Sequence, residues 1–187
     1  DELATWEISR YDNISDVMNK GIIPDNHPPG YQLFMYFVMQ TFGNSEKVLR
    51  FPSVIAGILS ILVIFGFAKQ LYGKREGILA ATLLAFSWAP IYYSQEARAY
   101  SLLLLFSLIT TWLLYSFFTS EQIARQKWLA AGYTISAIVM AYLHYFGLYF
   151  ILLQGIFSSL FAIKSRKNIA AVFIMFGIVG LSYVPWL

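Results

Sequence analysis

The 187-residue sequence contains no cysteine and few charged residues. Without cysteine, the chain forms no disulfide, no cysteine-ligated zinc site and no iron–sulfur cluster. Only 12% of the residues are charged and 58% are hydrophobic, whereas soluble domains have about 25% charged and about 45–50% apolar residues. This composition excludes intrinsic disorder and disfavours an ordinary water-soluble fold.

The chain has 13 basic and 10 acidic residues, and the basic residues are scattered among apolar runs. They form no patch that indicates a nucleic-acid surface, so the expected partner is a membrane and not a nucleic acid. Aromatic residues make up 18% of the chain, which suits many positions at a membrane–water interface. Because the sequence begins with Asp1 and ends in an apolar run, we expect an internal segment of a larger membrane protein.

Long apolar runs predict an all-α fold, a polytopic bundle of membrane-spanning helices. A helix needs about 20 mainly apolar residues to cross a bilayer, and lipid offers no partner for the free backbone groups of an open strand. Six segments approach that length within a membrane domain over 46–187, namely 48–71, 77–93, 99–118, 128–145, 148–163 and 169–187.

Residues 1–45 follow a different pattern and predict an extracytoplasmic loop with interfacial helices. Apolar residues recur at helical spacing as far as Met18, with charged residues between them, as in a helix that lies at a membrane surface. We expect Gly21 and Pro24 to end this helix. A rigid loop with two prolines and a short apolar helix over 31–42 should follow.

The distribution of basic residues predicts the orientation of the bundle. Eight of the 13 fall in the loops after the first, third and fifth predicted spans. These eight are Lys69, Lys74, Arg75, Arg125, Lys127, Lys164, Arg166 and Lys167. The positive-inside rule therefore places these loops in the cytoplasm.

Five polar or rigid features then share the extracytoplasmic side. They are Asp1-Glu2, His27-Pro28-Pro29, the segment 95–98, His144-Tyr145 and Pro185-Trp186. Because they come from distant parts of the chain, their convergence predicts a functional site at this face of the membrane.

Asp1 and Glu2 are the first candidate functional residues. They are either a cap on the first helix, because carboxylates are favoured at helix N-termini, or a general base for an attacking hydroxyl. Glu96 and Arg98 form either an exposed ion pair worth about 0–1 kcal/mol or a site where the planar guanidinium binds an anionic head group. Arg50 either snorkels to the membrane surface or binds phosphate.

The two histidines and the tyrosines near them also have two interpretations. His27 and His144 are either hydrogen-bonded interfacial residues or, with a nearby carboxylate, ligands of a divalent metal ion. Tyr100 and Tyr145 belong either to the interfacial aromatic belt or to a surface that stacks on a sugar. No P-loop or dinucleotide-binding fingerprint occurs in the sequence, so a nucleotide site has no support.

Several motifs of this chain resemble, in the same order, those of the GT-C glycosyltransferases, in the branch of protein O-mannosyltransferases and lipid A aminoarabinose transferases. They are Asp1-Glu2, His27-Pro28-Pro29-Gly30-Tyr31, Leu49-Arg50-Phe51-Pro52-Ser53, Gln95-Glu96-Ala97-Arg98-Ala99-Tyr100, Tyr142-Leu143-His144-Tyr145-Phe146-Gly147 and Pro185-Trp186. Each motif alone is weak evidence for the resemblance. Together, in the same order and on the same predicted side of the membrane, the motifs make the resemblance specific over nearly the whole chain.

The resemblance implies a GT-C-like bundle that moves a monosaccharide, with inversion, from a polyprenyl-phosphate donor to a lipid, glycan or protein acceptor. The implied location is the extracytoplasmic face of a bacterial or archaeal plasma membrane. The implied roles are general base for Asp1, substrate positioning for Glu2, donor-phosphate binding for Arg98 and Arg50, and site lining for His27, Glu96, Tyr100 and Tyr145. His144 matches a histidine that binds a divalent metal in some members.

A transporter or flippase of a lipid-linked substrate is the alternative function. Such a protein should show polar residues near mid-membrane, in broken helices or inverted repeats. The centres of the predicted spans show little beyond serine, threonine, glycine and tyrosine, and no internal repeat is visible. A non-catalytic scaffold would not need carboxylates and arginines gathered at one face.

Overall fold

The structure, a computed structural model, describes residues 2–25, 27–166 and 168–186. Helices account for 87% of this part of the chain, and it contains no strand. Four helices are long and apolar enough to cross a membrane, or five if one bent pair is counted as a single span. These observations confirm the predicted all-α, polytopic membrane bundle.

The N-terminal region consists of short helices. They are α1 (Glu2–Ser9), α2 (Ile14–Asp16), a π-helical segment (Val17–Ile22), α3 (Ile23–Asp25) and α4 (Gly30–Phe42). The prediction that Gly21 and Pro24 end the first helix is wrong, since α1 already ends at Ser9 and a second helical run continues from Ile14 to Asp25. Pro24 lies inside this helical run, directly after the π-helical segment. The predicted helix over 31–42 is confirmed and ends at Gly43, whose φ is 92°.

The remaining helices are mostly longer. They are α5 (Glu46–Tyr72), α6 (Lys74–Ala85), α7 (Trp88–Ser94), α8 (Tyr100–Thr119), α9 (Ile123–Leu143), α10 (Tyr145–Ser165) and α11 (Ile169–Tyr183), followed by a 3-10 turn (Val184–Trp186). The membrane-length helices are α5, α8, α10 and α11 with its 3-10 turn, and α6 with α7 forms the bent pair. The six-span domain over 46–187 remains a prediction.

The segment predicted as one span over 77–93 is broken in the structure. α6 and α7 meet at an angle of 60°, and the Ser87 hydroxyl donates a hydrogen bond to the Leu83 carbonyl at the break. Pro90 is the third residue of α7, within the first turn, where proline is tolerated. The pairing of Ser87 with Pro90 is a helix-start signal that was available in the sequence.

The joint between α9 and α10 lies at His144, slightly before the gap at 146–147 between the spans predicted over 128–145 and 148–163. His144 has extended backbone angles (φ −166°, ψ 150°), and its side chain accepts a hydrogen bond from the Phe146 N–H, so it caps α10. Gly147 permits close packing instead, because a Cβ atom there would clash with the Met140 carbonyl oxygen of α9.

The interior of the bundle contains polar residues that the sequence prediction overlooked. The Tyr133 hydroxyl donates to Gln154 Oε1 at 3.0 Å. Gln154 Nε2 donates to the hydroxyls of Thr110 at 3.2 Å and Thr111 at 3.1 Å. This group, named the Gln154 cluster, joins α8, α9 and α10, and it contradicts the expectation that span centres carry little beyond serine, threonine, glycine and tyrosine.

Candidate active site

A polar cavity of about 120 Å³ lies where α1, the end of α3, the start of α4, the α7–α8 turn and the α9–α10 joint meet. Its walls include Thr5, Asp25, His27, Tyr31, Gln32, Arg98, Tyr100 and His144. The volume equals roughly four water molecules, which is room for a phosphate or part of a sugar ring. Four predicted site residues, His27, Arg98, Tyr100 and His144, therefore come together from three distant segments.

Arg98 is held in the cavity wall by its own turn and by a neighbouring helix. Its backbone N–H donates to the Glu96 carbonyl at 2.9 Å, and its carbonyl accepts from the Ser53 hydroxyl of α5 at 3.4 Å. The guanidinium carbon lies 5.5 Å from the centre of the Tyr100 ring. Because Arg98 is only half-buried beside an open volume, its planar guanidinium is suited to bind an anion there.

Glu2 and Arg50 form a bidentate ion pair next to this turn. Arg50 Nε donates to Glu2 Oε1 at 3.0 Å, and Arg50 Nη2 donates to Glu2 Oε2 at 2.8 Å. Such paired, charge-assisted hydrogen bonds are stronger than hydrogen bonds between neutral groups. The guanidinium of Arg50 lowers the pKa of the Glu2 carboxyl below its usual value, and the Ala97 N–H contributes in the same direction.

The same carboxylate also binds the turn that carries Arg98. Glu2 Oε1 accepts a hydrogen bond from the Ala97 N–H at 2.6 Å, across 95 positions of sequence. Ala97 is 1% exposed, so its N–H depends on Glu2 for a partner. Neither Glu2 nor Arg50 lines the cavity, and Arg50 Nη2 contacts a second carboxylate, that of Glu46, at 2.7 Å.

The two histidines face each other across the cavity. Their ring centres are 6.0 Å apart, and the His144 ring lies 5.5 Å from Tyr100. His27 Nδ1 lies 3.0 Å from Asp25 Oδ2. Burial, with His27 and Arg98 nearby, lowers the pKa of His144, so this ring is neutral at neutral pH. Since its Nδ1 accepts from the Phe146 N–H, we assign the proton to Nε2.

The described residues do not fit a metal centre. They contain no group of three or more histidine, aspartate or glutamate side chains arranged to hold an ion. A neutral His144 whose Nδ1 accepts a hydrogen bond carries a proton on Nε2, and it then offers no lone pair to a metal ion. The predicted metal-binding role of His144 therefore gains no support from its contacts.

The other predicted site residues take peripheral positions. Glu96 lies beside the Tyr92 hydroxyl and does not line the cavity. The Tyr145 ring centre lies 6.2 Å from that of His27. Asp1, the predicted general base, lies outside the described residues.

Sequence reasoning missed three contributors to this region. The Ala97 N–H is a backbone group, so no side-chain pattern reveals it. Asp25 is two residues from His27 and was available as a local partner. The Tyr31 hydroxyl is buried beside Ser53 and makes no hydrogen bond of ordinary geometry within the described part of the chain. Burial raises its pKa, so it remains a hydroxyl donor.

The helical membrane bundle carries an arginine, two histidines and carboxylates at one end. This architecture is that of an integral-membrane glycosyltransferase of the GT-C type. The chain belongs to the dolichyl-phosphate-mannose-protein mannosyltransferase family, whose model matches residues 26–187. The predicted family and membrane setting are thus confirmed, together with a polyprenyl-phosphate-sugar donor in general. The matched region begins after Asp1 and Glu2.

Neither a curated protein nor a solved structure matches the chain at a significant level.

Proposed function

We propose that the cavity is the catalytic centre of an inverting glycosyltransferase that takes mannose, or a related sugar, from a polyprenyl-phosphate donor. The acceptor is a hydroxyl of a lipid, glycan or protein. The observation that carries the proposal is the position of Arg98, whose guanidinium borders the polar cavity over the Tyr100 ring. The phosphate that leaves in this reaction needs such a cation where charge develops.

In the proposed reaction, the acceptor oxygen attacks the anomeric carbon of the donor sugar. Asp1 takes the proton of the attacking hydroxyl, as a positioned general base. The bond between the anomeric carbon and the phosphate oxygen breaks, its electron pair stays on that oxygen, and Arg98 stabilises the resulting polyprenyl phosphate. A single displacement from the opposite side inverts the anomeric configuration.

His27, Tyr100, Tyr145 and His144 form the sugar-binding part of the proposed site. Tyrosine and histidine rings provide apolar faces for a sugar ring, and the His144 Nε2–H provides a donor. The proposed chemistry uses no metal ion.

The proposed location is the extracytoplasmic face of a bacterial or archaeal plasma membrane. α5, α8 and α10 begin at the cavity end of the bundle, whereas Lys69 is in the last turn of α5 and Lys164 is in the last turn of α10. The basic loops therefore lie at the opposite end from the cavity. By the positive-inside rule, that end faces the cytoplasm.

Substitution of Asp1 and Arg98 in the full chain tests the proposal. Asp1→Asn should lower kcat by about 100-fold or more, the usual contribution of a general base. Arg98→Ala should lower kcat/KM for the donor. The measurement is transfer of radiolabelled mannose from polyprenyl-phosphate mannose in proteoliposomes, with the anomer of the product determined by NMR.

Arg10→Ala is the matched control, because the Arg10 guanidinium also lies over an aromatic ring, that of Trp6 at 4.6 Å, but does not line the cavity. Its activity should stay within about twofold, since surface substitutions away from a site have small effects. Wild-type turnover in Asp1→Asn would remove Asp1 from the mechanism. Transfer only in vesicles that expose the basic loops to the substrate would refute the proposed face.

A further inference from the structure

We infer that Glu2 and Arg50 act as a positioning clamp on the turn that carries Arg98, and that neither side chain contacts the donor. The clamp consists of the Glu2 carboxylate, the Arg50 guanidinium and the Ala97 backbone N–H. The inference rests on the proposed function, because it assigns the donor phosphate to Arg98 alone.

The geometry shows Glu2 engaged at both carboxylate oxygens. Oε2 accepts from Arg50 Nη2, and Oε1 accepts from both Arg50 Nε and the Ala97 N–H. The carboxylate thus ties the start of α1 to the first turns of α5 and to the α7–α8 turn. The next residue after Ala97 is Arg98, so the clamp fixes the backbone of the arginine that borders the cavity.

A second contact holds the other side of the same turn. The Ser53 hydroxyl donates to the Arg98 carbonyl at 3.4 Å, and Ser53 is one residue past Pro52 in α5. Arg50 and Ser53 therefore anchor the turn from neighbouring positions of one helix. Positioning of this kind affects catalysis strongly, because a displacement of about 1 Å can lower a rate about 100-fold.

The charge around Arg50 disfavours a direct phosphate contact. Glu2 and Glu46 both contact this guanidinium, so two carboxylates surround one cation. A phosphate approaching Arg50 would meet a cluster with net negative charge. Arg98, in contrast, lies in the wall of the open cavity.

Steady-state kinetics of Glu2→Gln and Arg50→Gln in the full chain separate the two roles. If the pair is a clamp, each variant lowers kcat by about 10-fold to 100-fold, and the double variant is no worse than the poorer single one. KM for polyprenyl-phosphate mannose changes less than kcat. If Arg50 binds the phosphate instead, Glu2→Gln frees the guanidinium and lowers KM, whereas Arg50→Gln raises it.

Glu46→Gln is the matched control, because it removes a carboxylate from the same guanidinium without touching the turn. The clamp predicts an activity within about twofold of wild type, whereas direct phosphate binding by Arg50 predicts a lower donor KM. Amide hydrogen exchange gives a second measurement. Loss of the clamp in Glu2→Gln should speed exchange in segment 95–99, and Glu46→Gln should leave it unchanged. Should Glu2→Gln fail to fold, Glu2→Asp keeps the charge and shortens the reach.

The outcomes distinguish the clamp from the proposed function. If Arg98→Ala retains full activity, the proposed function fails, whatever the clamp variants do. If Arg98→Ala is inactive and Glu2→Gln lowers donor KM, only the clamp is refuted. Multiplicative losses in the double variant would also refute it.

Discussion

The Gln154 cluster and the polar cavity lie in the same bundle but differ in how their polar groups are satisfied. Both the oxygen and the nitrogen of the Gln154 amide have partners on neighbouring helices. At the cavity, the Tyr31 hydroxyl lacks a hydrogen bond of ordinary geometry within the described residues, and the Tyr31 and His144 side chains line an open volume. A satisfied buried cluster holds helices together, whereas polar groups around a volume are available to a ligand.

The two regions also differ in the kind of contact that builds them. The Gln154 cluster consists of neutral hydrogen bonds within three helices. The cavity region depends on a charged contact, that of Glu2 with Arg50, between segments far apart in sequence. Glu2 thus connects the N-terminal helices to α5 and to the α7–α8 turn through a charged side chain, and its loss should affect function more than stability.

The largest effect in this comparison is expected from Gly147→Ala, at the joint between the two regions. The added Cβ would clash with the Met140 carbonyl oxygen, so α10 must move away from α9 and carry His144 with it. Overpacking of this kind costs about 1–3 kcal/mol of stability, and displacement of a site residue lowers activity about 10-fold or more. The thermal unfolding midpoint and the transfer rate measure both effects.

Gly180→Ala is the control, because a Cβ at Gly180 in α11 has nothing within 4 Å. There the substitution should be neutral or stabilising by about 0.5–1 kcal/mol, since alanine is the better helix former. Equal losses in the two variants would show that the close packing of α9 on α10 does not control the site.

A smaller effect, on stability alone, is expected from Gln154→Leu. The change leaves the Tyr133 hydroxyl and the two threonines without their interhelical partner. In membrane proteins such hydrogen bonds contribute about 0.6 kcal/mol on average and up to about 1.7 kcal/mol. The thermal unfolding midpoint in detergent should fall while kcat/KM stays within about twofold. A tenfold loss of activity in a protein that unfolds normally would instead place Gln154 in the reaction.

The smallest effect is expected from pH acting on Glu2. Its pKa is below the usual 4.5, chiefly because of Arg50. The stabilisation is therefore complete above about pH 4.5, and it is lost as pH falls through the lowered pKa. In Arg50→Gln the largest cause of the lowered Glu2 pKa is removed, so the loss of stability on acidification should be smaller. The comparison uses unfolding midpoints of the wild type and the variant, measured from about pH 3 to pH 7. The same decrease in midpoint at acid pH in both proteins would contradict this prediction.

Much of the fold was predictable from apolar run length. The runs over 48–71 and 99–118 correspond to α5 and α8 within two residues at each end, because lipid requires helices of that length. The bend between α6 and α7 and the joint at His144 were less accessible, since hydropathy averages over the local hydrogen bonds of Ser87 to the Leu83 carbonyl and of His144 to the Phe146 N–H.

The candidate site was predictable in its members but not in its contacts. The sequence analysis expected Arg98, His27 and His144 to meet at one face of the membrane, and in the structure the three residues line one cavity. The pairing of Arg50 with Glu2 could not be read from the sequence, since Glu2 is 48 positions away and seven other carboxylates are nearer in the chain.

By itself the sequence determined that this is a helical membrane protein and the family to which it belongs, because hydropathy and short motifs are properties of contiguous residues. The tertiary structure alone decided which carboxylate meets which guanidinium, which backbone amide it holds and which polar groups face open space. Those pairings depend on how helices pack against one another, and packing is set by contacts between segments that the chain keeps far apart.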